Sequence, residues 1–260
     1  MSAVPIISVA NFHKAYEGVP AVEEVSFDVF SGRIIGVVGP NGAGKTTTMR
    51  SLAGIIPPTA GSLSVAGFDV ESQPIPVKQR LAYVPDDPSL FPNLTVSDHL
   101  AFTAAAYKVD NADRKAAVLL KQFELDQKRD TAAKDLSRGM RQKLAICCAY
   151  LYDPVALLFD EPLTGLDPMG IRTLKRTIVE RAAAGAAVLI SSHLLAMVED
   201  VCSRILMLDH GQQKFFGTVG EFRQKFGSAD DDVSLEQIFF AATDQSGIRT
   251  HQEVAVSGAR

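Results

Sequence analysis

Residues 39–46 read Gly-Pro-Asn-Gly-Ala-Gly-Lys-Thr, a full match to the phosphate-binding pattern GxxxxGK[ST]. Glycines in such a loop let backbone amides converge on a phosphate with no side chain in the way. Lys45 supplies a cation for β- and γ-phosphate oxygens, and the Thr46 hydroxyl suits Mg²⁺. Far along the chain, Leu157-Leu-Phe-Asp160-Glu161 is an apolar run that ends in two carboxylates. Ligands of open α/β sheets sit at the C-terminal ends of strands, so these acids stand where a nucleotide would be. Asp160 suits the Mg²⁺ shell and Glu161 suits the polarising of an attacking water. The chemistry spelled out is binding of Mg²⁺–ATP and transfer of its terminal phosphoryl group to water. The bland alternatives are a glycine turn with a chance lysine, and two solvent-facing acids at a strand end. The strand before the loop, the helix after it and the pairing of both motifs in one chain disfavour them.

The elements around these motifs have the required types. Arg33–Val38 is a short apolar run bounded by Gly39, as a buried parallel strand would be, and Gly44–Ala53 reads as a helix. Its N-terminal partial charge adds to the phosphate site. Ile6–Phe12 and Val25–Phe30 read as strands, with Gly18–Pro20 as the turn signal between them. Ser62–Val65 and Leu81–Val84 are further strands. From Thr95 to Tyr150 the pattern is helical and alanine-rich, opening on Thr95-x-x-Asp98 as a helix start. Strand and helix then alternate: Val155–Phe159, Met169–Ala184, Ala187–Ser191, Leu194–Val201 and Ile205–Leu208, with a hairpin turn at Gly211. The tail from Gly227 carries one apolar helical patch, Leu235–Ala242, and a polar end expected to be mobile.

Further motifs narrow the class. Leu136-Ser-Arg-Gly-Met140, at the start of a helical run shortly before the strand that carries Asp160 and Glu161, resembles the LSGGQ signature of the ABC ATPases. Tyr83-Val-Pro85 precedes the position of that family's Q-loop. Thr164-Gly-Leu-Asp167 resembles its D-loop, and Ser191-Ser-His193 its switch histidine. Tyr16 matches the aromatic that stacks on adenine. The order agrees from about Ile6 to Gly217, most of the chain. The resemblance implies an α/β fold: a RecA-type P-loop NTPase core with an antiparallel β-layer and an inserted α-helical lobe. It implies an ATPase domain over residues 1–226, with the lobe at about 86–150, and a tail over 227–260. The implied nucleotide contacts are Tyr16, Gly39, Asn41, Gly42, Gly44, Lys45, Thr46, Thr47, Ser137, Gly139 and Asp167. Glu161, His193 and Lys45 are the implied catalytic groups, and Thr46, Asp160 and Asp86 the implied metal ligands. Each minor site also has a plainer reading: Tyr16 as a half-exposed strand aromatic, His193 as a helix-start residue, Asp167 as a turn acid before Pro168 and Ser137 as a helix N-cap.

Three residues depart from the family pattern. Asp86 stands where the Q-loop has glutamine, one methylene shorter and charged; it is a hard-cation ligand that would reach the metal through water. Arg138 replaces the first glycine of the signature and Met140 its glutamine. Ser137 and Gly139 keep a hydroxyl and an amide for phosphate.

The resemblance implies ATP and Mg²⁺ as cofactors, and two partners. One is a second ATPase subunit, whose signature completes this subunit's ATP site; the other is an integral membrane permease driven by closure and reopening. The signature, the acid at Asp86 and Ser234–Phe239 resemble the subfamily that energises exporters of drugs, polysaccharides or lipids. The chain itself has 260 residues, 47% of them hydrophobic, and a net charge of −4. Such a composition suits a globular core and gives no global basic field for nucleic acid. Met1–Pro5 has no basic run of a secretory leader, and no apolar stretch approaches the ~20 residues of a membrane span. The expected place is the cytoplasmic face of the membrane, reached through a partner. Cys147, Cys148 and Cys202 lack metal-binding spacing and are expected as reduced, buried thiols. Two other classes remain beside the transporter subunit. A soluble ABC-type ATPase acting on DNA or ribosomes is disfavoured by the short stretch between Lys45 and Asp160, the single ATPase unit and the negative charge. A regulatory ATP binder with little turnover is disfavoured by Glu161 and favoured by Asp86.

Overall fold

A computed structural model describes residues 4–192, 195–227 and 235–239. The chain opens with an antiparallel hairpin, β1 (Ile7–Tyr16) and β2 (Val19–Val29). Its turn is Glu17–Gly18, both left-handed at φ 49° and 84°, the two-residue geometry whose twist matches the strands. The second strand therefore starts six residues before the expected Val25 and takes in Pro20 close to the hairpin end. β4 (Ala60–Val65) pairs antiparallel with β1, and β5 (Phe68–Asp69) with β4. These four strands form the antiparallel layer.

The parallel core consists of β3 (Ile34–Val38), β6 (Leu81–Val84), β7 (Ala156–Asp160), β8 (Ala187–Ser191) and β9 (Arg204–Asp209). A final strand, β10 (Gln212–Thr218), folds back antiparallel on β9 through His210–Gly211 and meets β2 at Glu23. The complete order is β5-β4-β1-β2-β10-β9-β3-β8-β7-β6. β3, β7 and β8 are buried throughout, as strands covered on both faces must be. Alternate side chains split them between two cores. Ile35, Val37, Leu158 and Leu189 face the antiparallel layer and α1 (Lys45–Leu52). Val38, Leu157, Phe159, Val188 and Ile190 face α6 (Pro168–Ala183), α7 (Leu195–Val201) and the lobe.

A short helix α2 (Pro74–Lys78) precedes β6. The lobe lies between β6 and β7 and holds α3 (Val96–Tyr107), α4 (Ala112–Gln122) and α5 (Arg138–Leu151). Thr95 and Asp98 cap α3 reciprocally, each side chain accepting from the other's backbone N–H, so Asp serves in the place where Glu or Gln is usual. After β10 come α8 (Val219–Phe226) and a helical stretch at 235–239, whose Leu235, Ile238 and Phe239 bury into the core that contains Phe222. Residues 240–242 of the expected tail helix, Ser234, Leu194 and His193 lie outside the described residues. Cys147 and Cys202 are buried and all three cysteines are free.

Candidate functional site

The loop after β3 is pressed against its surroundings. A Cβ on Gly39 would stand 2.2 Å from the Leu208 carbonyl oxygen, so only glycine fits there. Gly44 is the N-cap of α1, left-handed at φ 98°, where an L side chain is disfavoured. Lys45 folds back over its own loop. Its Nζ donates to the Gly39 carbonyl at 2.7 Å and the Pro40 carbonyl at 3.1 Å. Two of the three ammonium donors are thus placed and one remains for a phosphate oxygen. Burial lowers the Lys45 pKa, and the nearby charges of Glu161 and Asp160 act against that.

Asp160 ends β7 with 3% of its surface exposed and is held by three hydroxyls. Its Oδ1 accepts from Thr46 Oγ1 at 3.2 Å and Ser191 Oγ at 2.5 Å, and its Oδ2 from the Tyr83 hydroxyl at 3.1 Å. Adjacent strand ends supply this knot: β6, β7 and β8 bring Tyr83, Asp160 and Ser191 together, and α1 brings Thr46. Burial, then the Asp160 charge, pushes the Tyr83 hydroxyl up to about 12, so it stays a donor at neutral pH. The Thr46 hydroxyl beside the Asp160 carboxylate is a pair of hard oxygens, the set a small divalent cation takes together with waters and phosphate.

Glu161 follows in the left-handed region at φ 49°. Its N–H donates to both the Ser191 carbonyl at 3.2 Å and Ser191 Oγ at 3.0 Å. Ser191 therefore braces both carboxylate residues from one side chain. The sequence marked Ser191 and Tyr83 only as neighbours of other motif residues. Their hydroxyls are groups that the sequence reading missed.

Tyr16 ends β1 with 44% of its surface exposed, and Lys14 Nζ lies 5.0 Å from its ring centroid. Ser137 is the N-cap of α5, its Oγ accepting from the Met140 N–H at 3.2 Å. A Cβ on Gly139 would stand 2.3 Å from the Gly165 carbonyl oxygen, so the signature turn packs directly on the 164–167 loop. Asp167 caps α6 through Gly170 N–H at 2.7 Å, and this bond, then Lys143, holds its carboxyl below the usual range. Lys143 is itself buried and joins α5 to Asp167 and Glu124, both at 3.3 Å.

Asp86, expected to reach the metal through water, carries an ion pair. Its Oδ1 accepts from Arg138 Nη2 at 3.0 Å, so two residues that depart from the family pattern meet each other. The next residue back, Pro85, accepts at its carbonyl from Gln142 Nε2 at 3.2 Å. Beside this joint lies a groove of about 500 Å³ between core and lobe, lined by Arg50, Tyr83, Pro85, Tyr107, Cys148 and Tyr152.

The family model described as ABC transporter matches residues 22–164. The ABC-type transporter ATP-binding protein EcsA of Bacillus subtilis (strain 168) is 35% identical over 236 residues, covering 89% of this chain and 96% of that protein. The lipopolysaccharide export system ATP-binding protein LptB of Escherichia coli (strain K12) is 34% identical over 223 residues, covering 84% and 92%. A solved ATP-binding subunit of an ABC transporter superposes with a TM-score of 0.87 at 33% identity, over 92% of this chain and 99% of that one. The chain belongs to the ABC transporter family, as an ATP-binding subunit that hydrolyses ATP to power transport.

Proposed function

We propose that this subunit closes on a second ATPase subunit around Mg²⁺–ATP and thereby drives an integral membrane permease in the direction of export. The knot of Thr46, Asp160, Ser191 and Tyr83 at the strand ends supports the reading, since it holds a carboxylate and a hydroxyl beside the phosphate loop, where Mg²⁺ would need them. In the assigned roles, the loop from Gly39 to Thr47, with Asn41, Gly42 and Gly44, wraps the phosphates. Lys45 neutralises them and Tyr16 stacks on adenine. Thr46 and Asp160 hold Mg²⁺, which when bound offsets charge on the phosphoryl oxygens. Glu161, fixed by Ser191, orients and polarises the attacking water. His193 is assigned to the γ-phosphate. Ser137 and Gly139 of each subunit present a hydroxyl and a helix N-terminus to the phosphate of the other, with Asp167 at the same seam.

Two relatives bear export in their names: the LptB protein above and the Nod factor export ATP-binding protein I of Ralstonia nicotianae, 33% identical over 215 residues. Among the described residues no helix is long and apolar enough to cross a membrane. We assign the subunit to the cytoplasmic face, held there by the permease and not by nucleic acid. The groove between core and lobe suits a permease segment, because anything lodged there touches both bodies and feels them move.

Glu161→Gln tests the reading. The variant keeps the shape of the site and loses the carboxylate, so it should bind Mg²⁺–ATP, stop turning it over and accumulate as an ATP-bound dimer on size-exclusion chromatography. Turnover at the parental rate would remove Glu161 from its role. A variant that binds ATP and stays monomeric would sink the closure model.

A further inference from the structure

We propose that Asp86 is a positioning residue that acts on ATP turnover through Arg138, by holding the Ser137 turn in place, and is not a metal ligand. The inference rests on the proposed role of the Ser137 turn at the partner's nucleotide.

The first observation is the pairing itself. Asp86 and Arg138 are 52 residues apart in sequence and 3.0 Å apart in space. A cation in the first turn of a helix opposes the helix dipole. Arg138 is the first residue of α5, and α5 has no acid in its first turn. The carboxylate that answers it comes from outside the helix, from the loop after β6.

The second observation is a parallel attachment. Gln142 lies one turn beyond Arg138 on the same face of α5. It is fully buried and donates to the Pro85 carbonyl, next to Asp86. Two successive residues of the loop are thus fastened to two successive positions on one helix face.

The third observation concerns the other side of the turn. The Cγ and Cδ atoms of Arg138 stand 3.2 Å from where a Gly165 Cβ would be, so its stem lies across the 164–167 loop. The guanidinium meanwhile reaches Asp86. One side chain spans from the loop after β6 to the loop after β7, and Ser137 is its neighbour. At its near end the loop after β6 is anchored to the knot, since Tyr83 bonds the Asp160 carboxylate. A shift of β6 at the metal carboxylate would therefore reach Ser137 along bonded contacts.

The pair is half exposed, with side-chain exposures of 48% for Asp86 and 46% for Arg138. It is therefore of modest strength and screened by salt. The expected size is a three- to fivefold effect on the apparent KM for ATP in dimer turnover.

The test uses the full chain in five forms: wild type, Asp86→Asn, Arg138→Gln, the double variant, and the swap Asp86→Arg with Arg138→Asp. Steady-state ATPase is measured against ATP and against Mg²⁺, at low and high KCl, with Tm recorded for each form. Each single variant should raise the KM for ATP three- to fivefold and leave half-saturating Mg²⁺ unchanged. The double variant should be no worse than either single, and the swap should return to within about twofold of wild type. High KCl should bring wild type to the level of the single variants. Additive single effects in a folded double variant would overturn the proposal. So would a shift in Mg²⁺ dependence for Asp86→Asn that persists beside Arg138→Gln, which would restore Asp86 to the metal. If the swap fails to fold, the double variant and the salt series still decide. Failure of the underlying reading of the Ser137 turn would show separately, as heterodimers of Ser137→Arg and Lys45→Ala subunits that form without regaining activity.

Discussion

Ser191→Ala removes one oxygen and disturbs two neighbouring carboxylate residues, Asp160 and Glu161. Ser191 is fully buried. Its hydroxyl donates to Asp160 Oδ1 and accepts from the Glu161 N–H. The strand itself should survive, because β8 pairs through its backbone with β3 and β7 on either side. The Glu161 N–H keeps the Ser191 carbonyl at 3.2 Å, so no donor is orphaned. Asp160 keeps Thr46 and Tyr83 but loses its shortest contact. A hydrogen bond to a charged group contributes about 1.5–3 kcal/mol. For a domain of this size that predicts a fall in Tm of roughly 3–12 °C. Loss of a group that orients a metal ligand costs about tenfold to hundredfold in metal affinity or activity. Half-saturating Mg²⁺ for ATP turnover should rise on that scale, with KM for ATP at saturating Mg²⁺ little changed. Calorimetry and a Mg²⁺ titration of the ATPase rate supply the two readouts. A variant with parental Tm and parental Mg²⁺ dependence would refute the view that this hydroxyl braces Asp160.

Lys45→Ala should lose ATP binding at useful concentrations, since the phosphates lose their buried cation; titration calorimetry that finds retained affinity would count against the loop. Ser137→Arg should leave ATP binding to the monomer nearly intact and depress turnover strongly. A Ser137→Arg subunit mixed with a Lys45→Ala subunit should regain one working site, and heterodimers that form without regaining activity would argue against assembly across the seam. Thr218→Ala removes the side-chain cap that accepts from Glu221 N–H and should cost about 1 kcal/mol in urea unfolding with activity kept.

What the sequence disclosed was local. The Leu157–Phe159 run, bounded by two acids, could hardly be anything but a buried strand, and the Gly39–Thr46 pattern is complete within eight neighbours. The alanine-rich stretch gave the lobe its helices, and Ser137 and Thr95 their caps. Contacts that join distant segments were not readable. Tyr83 and Ser191 reach Asp160 across 77 and 31 residues, and no spacing rule links them. Asp86 and Arg138 read in the sequence as two separate departures, since a family pattern sets each residue against its own position and carries no sign that the two meet. α8 was missed although Thr218-Val-Gly-Glu221 spells a capping box, because the glycine masks its helical pattern. α2 was missed because Pro74 and Pro76 read as breakers, yet both lie in a first turn whose N–H groups need no partner inside the helix.

The left-handed backbone at Glu161 sets fitness and robustness against each other. An L residue other than Asn, Asp or Gly is disfavoured at φ 49°, at a cost on the order of 1 kcal/mol. Asn or Gly would sit there with less strain and, under the assigned role, would leave a dead ATPase. Directed evolution for heat resistance alone would therefore select against the working residue at this position. A library built to harden this protein must hold position 161 fixed, or score turnover in the same round.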